Sequence, residues 1–418
     1  MIDRWNAYWH GASSGARGTL LERLVLLLLA FDCWLELVSH GARYGEGAFN
    51  VAHFAWLDAV QPVPTPAIYV GTVTLAGLLA FAQAVGRPTR AGMIALALSY
   101  TYGWAMSLLD AYQHHYLLSW VLLLFVFYPA AWARHLSAVC IACVYFFTGI
   151  TKTDPAWRSG AALEHIAHDR MRPFLAFAER LHVPTDTFWT LVGHSVVVLQ
   201  FVVAAGYLVA PRRDGPSKVA AWLATLAWFA AMAFHIGAEV LDLKIGWFSY
   251  YMMIAASALL LPRRPVEWMA RHIDRFDAWF RDVANDAATE TASVMVQVVL
   301  TAAVAVGIAS SVDMPGVTAA ISLGMASIAV GVFVAARRGR LGVPWRMNAA
   351  AFVGALALWA AFSLSETRYD FYRFAGGDAR KRGEYERALE AYQKADRYAP
   401  EGKSRRAEVE AMKRALGR

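Results

Sequence analysis

The chain has 418 residues, of which 58% are hydrophobic, 13% aromatic and only 17% charged, with a mean hydropathy of +0.38. Soluble domains lie nearer half apolar and a quarter charged, so the composition excludes an ordinary soluble globular protein and points to a polytopic membrane protein. The net charge of +7 is scattered over short loops rather than gathered in one stripe. It therefore bears on membrane orientation and anionic lipid, with the bilayer and not nucleic acid as the expected partner.

Segments of about 20 mostly apolar residues are long enough to cross a bilayer. They are expected at 20–38, 67–85, 92–110, 116–133, 136–151, 187–210, 218–239, 246–262, 292–312, 315–336 and 345–364. The fold class is thus an all-α, polytopic transmembrane bundle of about eleven spans. Basic loops follow every second span: "GRPTR" (86–90), Arg134, "PRRDGPSK" (211–218), "PRRP" (262–265) and "RRGR" (337–340). Intervening turns such as "AYQHHY" (111–116) and "VDMPG" (312–316) carry no Lys or Arg. By the positive-inside rule, the chain is an inner-membrane protein with a cytoplasmic amino terminus and a periplasmic carboxyl terminus. Cys33, Cys140 and Cys143 cannot build a disulfide framework, and the two in "CIAC" fall within a span as small apolar residues. The apolar run after Leu20 lacks a small-residue cleavage site and reads as a span rather than a signal peptide.

An ionisable group at mid-bilayer costs about 2.5–3.5 kcal/mol on insertion scales, which marks it as a functional candidate. Taken in order, "FDCWLE" places Asp32 and Glu36 four residues apart on one helical face, as intramembrane braces that could pair with Arg43. "QHHYL" places Gln113, His114 and His115 at the start of the fourth span. "YFFTGITKTDPAWRSG" closes the fifth span with Lys152, followed by Asp154 and Trp157. A segment from Trp157 to Asp186, mixing Leu163, Ile166, Phe174 and Phe177 with His and Arg, reads as a re-entrant or interfacial lid. "FHIGAEVLDLKIGWF" (234–248) then supplies His235, Glu239, Asp242 and Lys244.

The loop alternation brings the clusters around His114, Lys152 and His235 to one depth, near the outer surface. Each has a plainer reading alone: Lys152 as a helix-end lysine that snorkels, His235 as a hydrogen-bonded core histidine. Together they suggest a lysine base with imidazoles that orient or polarise a reacting oxygen. Burial would lower the Lys152 pKa towards working pH, and Asp154 or the negative end of the fifth helix would raise it. No metal is expected, because one His pair plus His235 is too few for a di-iron site. HExxH and P-loop patterns are missing from the sequence.

Further along, "EWMARHIDRFDAWFRDV" (267–283) spaces Met269, Ile273, Phe276, Phe280 and Val283 helically between Arg271, Arg275 and Arg281. This predicts an amphipathic helix on the inner leaflet. After Ser365 the tail changes character, and "GEYERALEAYQKADRYAP" (383–400) resembles a tetratricopeptide (TPR) repeat. Gly383, Tyr385, Ala388, Tyr392, Ala395 and Pro400 carry that likeness, with Gly376 in the first helix and 404–416 as a cap. The expected organisation is a transmembrane domain over 1–265, a linker helix over 266–290, three further spans over 291–365 and a TPR-like tail over 366–418.

In order and spacing, "FDCWLE", "FAWLDAVQPVP" (54–64), "QHHYL", "YFFTGITKTDPAWRSGAALE" and "FHIGAEVLDLKIGWFSYYMMIA" resemble vitamin K-dependent γ-glutamyl carboxylase and its bacterial relatives, the horizontally transferred transmembrane (HTTM) family. The likeness runs over residues 18–262, with Gln113 where the family has Asn. It implies that Lys152 deprotonates vitamin K hydroquinone or another quinol, that oxygen then yields a strong base, and that carbon dioxide is captured by a glutamyl carbanion. It further implies that His114 supports this step and that His235 lines the same site, with Gln113, His115, Asp154 and Trp157 around the substrate. The family's large β-rich lumenal portion is replaced here by the linker helix, the extra spans and the tail. A peptide or protein substrate and a protein partner for the tail are the partners implied. The alternatives are another quinone- or lipid-modifying membrane enzyme, or a non-catalytic scaffold acting through the tail.

Overall fold

The computed structural model describes residues 2–10, 15–38, 40, 52–86, 88–108, 113–128, 130–241, 243, 245–288, 299 and 342–418. Regular structure among the described residues is helical throughout. The chain begins with α1 (Ile2–His10), α2 (Gly15–Leu35), α3 (Ala55–Val60), α4 (Pro66–Ala84), α5 (Arg90–Ala105) and α6 (Gln113–Phe125). It continues through α7 (Ala131–Thr151), α8 (Pro155–Arg158), α9 (Ala161–Arg180), α10 (Thr185–Val209), α11 (Lys218–Val240), α12 (Phe248–Leu260) and α13 (Arg263–Ala288). It closes with α14 (Gly342–Ser363), α15 (Ser365–Lys381), α16 (Tyr385–Arg397) and α17 (Arg406–Ala415). Helices α7, α10 with its 3₁₀ extension to Arg212, and α11 are long and apolar enough to cross a membrane. Shorter apolar stretches lie in α4, α6, α12 and α14.

Where helix boundaries differ from expectation, local chemistry accounts for it. The span expected at 116–133 stops at Phe125, and α7 starts at Ala131, taking Arg134 into its first turns. Pro129 lies between them; it lacks an N–H and disfavours helical backbone in the residue before it. The span expected to reach 110 ends at Ala105. The spans expected at 292–312 and 315–336 lie outside the described residues, as do Arg43, Asp242 and Lys244.

The chain divides into two compact units. The first comprises Met1–Val25 and Leu123–Arg275, the second Leu26–Leu122 and Phe276–Arg418. In the first unit α10 is the hub, flanked by α7 and α11, with α12 beside α11 and the short α8 and the longer α9 against α10. The buried face of α11 is built from Ala220, Ala224, Ala227, Ala231 and Ala238. Such small side chains let helix backbones approach closely where apolar solvent offers no drive to associate. Gly206 of α10 sits directly over the Ala227 methyl, leaving no room for a side chain there. Arg17, only 5% exposed, grips Asp214 with two bonds of 2.8 Å and donates to the carbonyls of Ala258 and Leu259. One guanidinium thus ties the α10–α11 turn to the otherwise uncapped end of α12.

In the second unit α4 packs against α5 and α14. Trp34 is fully buried, its indole against the backbones of Gly77 and Gly354 and its N–H 3.4 Å from the Thr74 carbonyl. Helices α15, α16 and α17 pack on one another around Ala379, Ala388, Leu389, Tyr392, Val409 and Met412. Gly383 turns the chain between α15 and α16 at φ +77°, a conformation glycine adopts freely. A methyl at Gly376 would stand 2.9 Å from the Tyr392 ring.

Candidate functional site

Lys152, Asp154, Trp157 and His235 belong to the first unit. Lys152 occupies the C-cap of α7, where its backbone N–H reaches back to the carbonyls of Thr148 and Gly149. Two residues on, the Asp154 carboxylate accepts from the Trp157 N–H at 3.0 Å and caps the single turn of α8. That turn presents the Trp157 indole to the lysine, with Nζ 5.0 Å from the ring centroid. Asp154, expected as a nearby charge to raise the lysine pKa, engages its carboxylate as a helix cap, and Lys152 forms no ion pair among the described residues.

Burial lowers the Lys152 pKa from its ordinary value, since the half-buried amine loses water that would solvate its charge. The Trp157 face acts the other way, favouring the ammonium by roughly 0.5–2 kcal/mol. Trp157 is itself held by the apolar seam under α9, where Leu163, Ala167, Met171 and Leu175 pack on Trp189. Gly160 makes the tight entry to α9 at φ +82°, with its Cα against the Trp189 carbonyl. The expected lid over 157–186 is therefore a turn and a helix that support the lysine's aromatic neighbour. Ile166, Phe174 and Phe177 are exposed on α9.

His235 lies on the buried face of α11, 1% exposed. Its Nε2 meets the Tyr145 hydroxyl at 2.6 Å, and the Tyr207 ring stacks on Tyr145 with centroids 5.8 Å apart. Three buried polar atoms here have no hydrogen-bond partner among the described residues: Nδ1 of His235, the Tyr207 hydroxyl and Oε1 of Gln200. Sequence reasoning missed Tyr145, Tyr207 and Gln200. The available signal was phase: Tyr145, Gly149 and Lys152 stand at i, i+4 and i+7 on one face of α7. At 1.5 Å per residue the Tyr145–His235 pair is roughly 10 Å along that face from the lysine. At the buried Gly149 between them, the Gln200 and Phe201 side chains pack directly against the face.

Asp32, Glu36, His114 and His115 belong to the second unit. His115, 2% exposed, is hydrogen bonded through Nδ1 to the Tyr100 hydroxyl at 2.8 Å. Its ring is parallel to Trp104 and 4.2 Å from the half-buried ring of His114. The Trp104 indole donates to Ser119 at 2.9 Å, and the Tyr116 hydroxyl meets His53 at 2.9 Å. This aromatic and imidazole cluster locks α5, α6 and the segment before α3 together. Gln113 opens α6, and its side chain lies outside the described part. Asp32 is buried on α2, whereas Glu36 is exposed on the turn beyond it, 3.9 Å from His40. The two acids thus occupy different environments, because α2 ends at Leu35 between them.

Among the described residues no group of three or more His, Cys, Asp or Glu side chains is placed to hold a metal ion. No protein-family model matches the chain, and neither a curated protein nor a solved structure does.

Proposed function

We propose that the chain is an integral membrane enzyme in which Lys152 is a general base, with the buried Tyr145–His235 pair positioning a phenolic, quinol-type substrate. The observation that carries this reading is the setting of Lys152. A lysine with a burial-lowered pKa and no carboxylate partner shares one face of α7 with Tyr145. An amine in that setting is suited to accept a proton from an acidic hydroxyl. The unpartnered His235 Nδ1, Tyr207 hydroxyl and Gln200 Oε1 fit a polar head group, and the Tyr145 and Tyr207 rings fit an aromatic body. A bound quinol would supply, with oxygen, the redox chemistry that the side chains themselves cannot perform.

In this reading the chain resembles the vitamin K-dependent carboxylase class, with carbon dioxide and oxygen as co-substrates and His114 as a supporting imidazole. It crosses the inner membrane about eleven times, with a cytoplasmic amino terminus and a periplasmic TPR-like tail. The alternation of basic loops supports the orientation, and the packing of Gly376 on Tyr392 supports the tail's repeat-like character. A scaffold reading draws on one observation, the tail's own apolar core.

Oxygen-dependent turnover of a short-chain naphthohydroquinone by the protein in nanodiscs separates the readings. The base reading expects epoxide from the wild type and loss of it in Lys152→Ala and Lys152→Arg, the latter keeping charge without an accessible neutral form. Epoxide formation that survives both substitutions, or none from any quinol with the intact protein, would sink it.

A further inference from the structure

We infer that α13 lies along an anionic phospholipid surface through a second apolar face whose aromatic side chains are exposed. The first face packs inward: Val266 and Ala270, four residues apart, are 0% and 4% exposed, and Ile273 is half-buried one turn on. The expected membrane face had Met269 and Ile273 at its centre; both are half-buried, and the side chains of Phe280 and Val283 lie outside the described part.

The open face is different. Trp268, Phe276 and Trp279 are 57%, 47% and 58% exposed. Intervals of 8 and 11 residues return to one stripe of a helix. His272 falls on the same stripe, its ring 4.3 Å from Trp268. Arg264, Arg271 and Arg275 are all exposed and, at 100° per residue, lie within about 60° of Trp268 on one flank. Of the exposed acids, Asp274 falls about 120° from Trp268 beyond the arginines on that same flank, and Asp282 about 40° from Trp268. None of the three arginines has an ion-pair partner among the described residues, whereas Arg263 is paired with Glu267 at 2.5 Å.

The start of α13, which up to Arg275 belongs to the first unit, indicates what covers this face. Only Leu261 and Pro262 separate it from the apolar helix α12. Arg17 binds both Asp214 and the Leu259 carbonyl, so α12 ends at the same level as the polar turn joining α10 and α11. Helix α13 therefore emerges at the polar rim of two helices long enough to span a bilayer. Trp beside Arg, at that level, matches the headgroup zone: the indoles enter the acyl boundary while the guanidiniums meet phosphate. Three arginines without an ion-pair partner, outnumbering the exposed acids on their flank, favour anionic over zwitterionic headgroups.

The test uses the full chain with Cys143→Ser and His272→Cys, labelled at 272 with an environment-sensitive fluorophore. It is reconstituted in nanodiscs of phosphatidylcholine alone or with phosphatidylglycerol, each carrying headgroup-nitroxide lipid. The inference expects blue-shifted, nitroxide-quenched emission with phosphatidylglycerol. It expects quenching to fall by about twofold or more in pure phosphatidylcholine and in the R264Q/R271Q/R275Q variant. Elution as a monodisperse species identifies folded variants. Quenching that is equal in both lipids, absent in both, or replaced by protection that scales with protein copies per disc would overturn it, the last by assigning the face to a second copy of the chain.

Discussion

At Lys152 two opposing effects meet, and their balance is measurable. Burial lowers the amine's pKa and the Trp157 face raises it. Trp157→Leu removes the second effect, so the acid limb of a pH–rate profile should move to lower pH, by at most about one and a half units. The same lowering affects stability. The folded-state pKa lies below the unfolded one, so the unfolded chain binds the proton more readily between the two values. The contribution of Lys152 to stability therefore rises with pH across that window and levels off above the ordinary lysine value of about 10.4. Tyr145→Phe is a second test. It strips the bond to His235 Nε2 and leaves the imidazole buried without its tyrosine partner, at an expected cost of about 1–3 kcal/mol in denaturant midpoint analysis. Lys152 was legible in the sequence because a charge after an apolar run is conspicuous. Tyr145 was not, because a tyrosine in such a run looks like any interfacial aromatic.

Among the elements, helix ends are the points where single contacts decide most. Gly160→Ala places a methyl against the Trp189 carbonyl in a left-handed backbone, so α9 and its hold on Trp157 should loosen. The readout is a lower melting temperature and a quinol affinity that falls with it. Arg17→Lys keeps a charge but cannot hold two carboxylate oxygens and two carbonyls at once. A loss of about 3 kcal/mol is expected, at the level seen when a buried pair loses a partner. In the tail, Asp396 accepts from the Arg405 N–H at 2.6 Å and from Ser404 at 2.8 Å, and these bonds hold its pKa below the usual carboxylate range. Stability from these bonds is present above about pH 4 and is lost as pH falls through the lowered value. Asp396→Ala should remove that acid dependence from circular dichroism of α17. The helices α4, α10 and α11 begin and end within a few residues of expectation, because apolar period and capping residues are local signals. The shortened α6 departs from expectation because hydropathy averaged over Pro129 without weighing its backbone effect.

For the molecule as a whole, a chain with three helices able to cross a bilayer among its described residues should resist carbonate extraction and require detergent for release. Recovery in the carbonate supernatant would contradict the membrane assignment. Composition and apolar period by themselves determined the helical class, the membrane setting, most helix positions and the conspicuous ionisable residues Lys152 and His235, since each depends on residues close in the chain. The partners of polar and ionisable groups were decided only by the tertiary structure. Tyr145 meets His235 across 90 positions and Arg17 meets Asp214 across 197. Asp154 turned from counter-ion to helix cap, and α13 showed an outward aromatic stripe where the pattern suggested one face. Such contacts depend on the rotation and tilt with which helices pack, and the energy that sets these is shared among many small apolar contacts rather than written in any one segment.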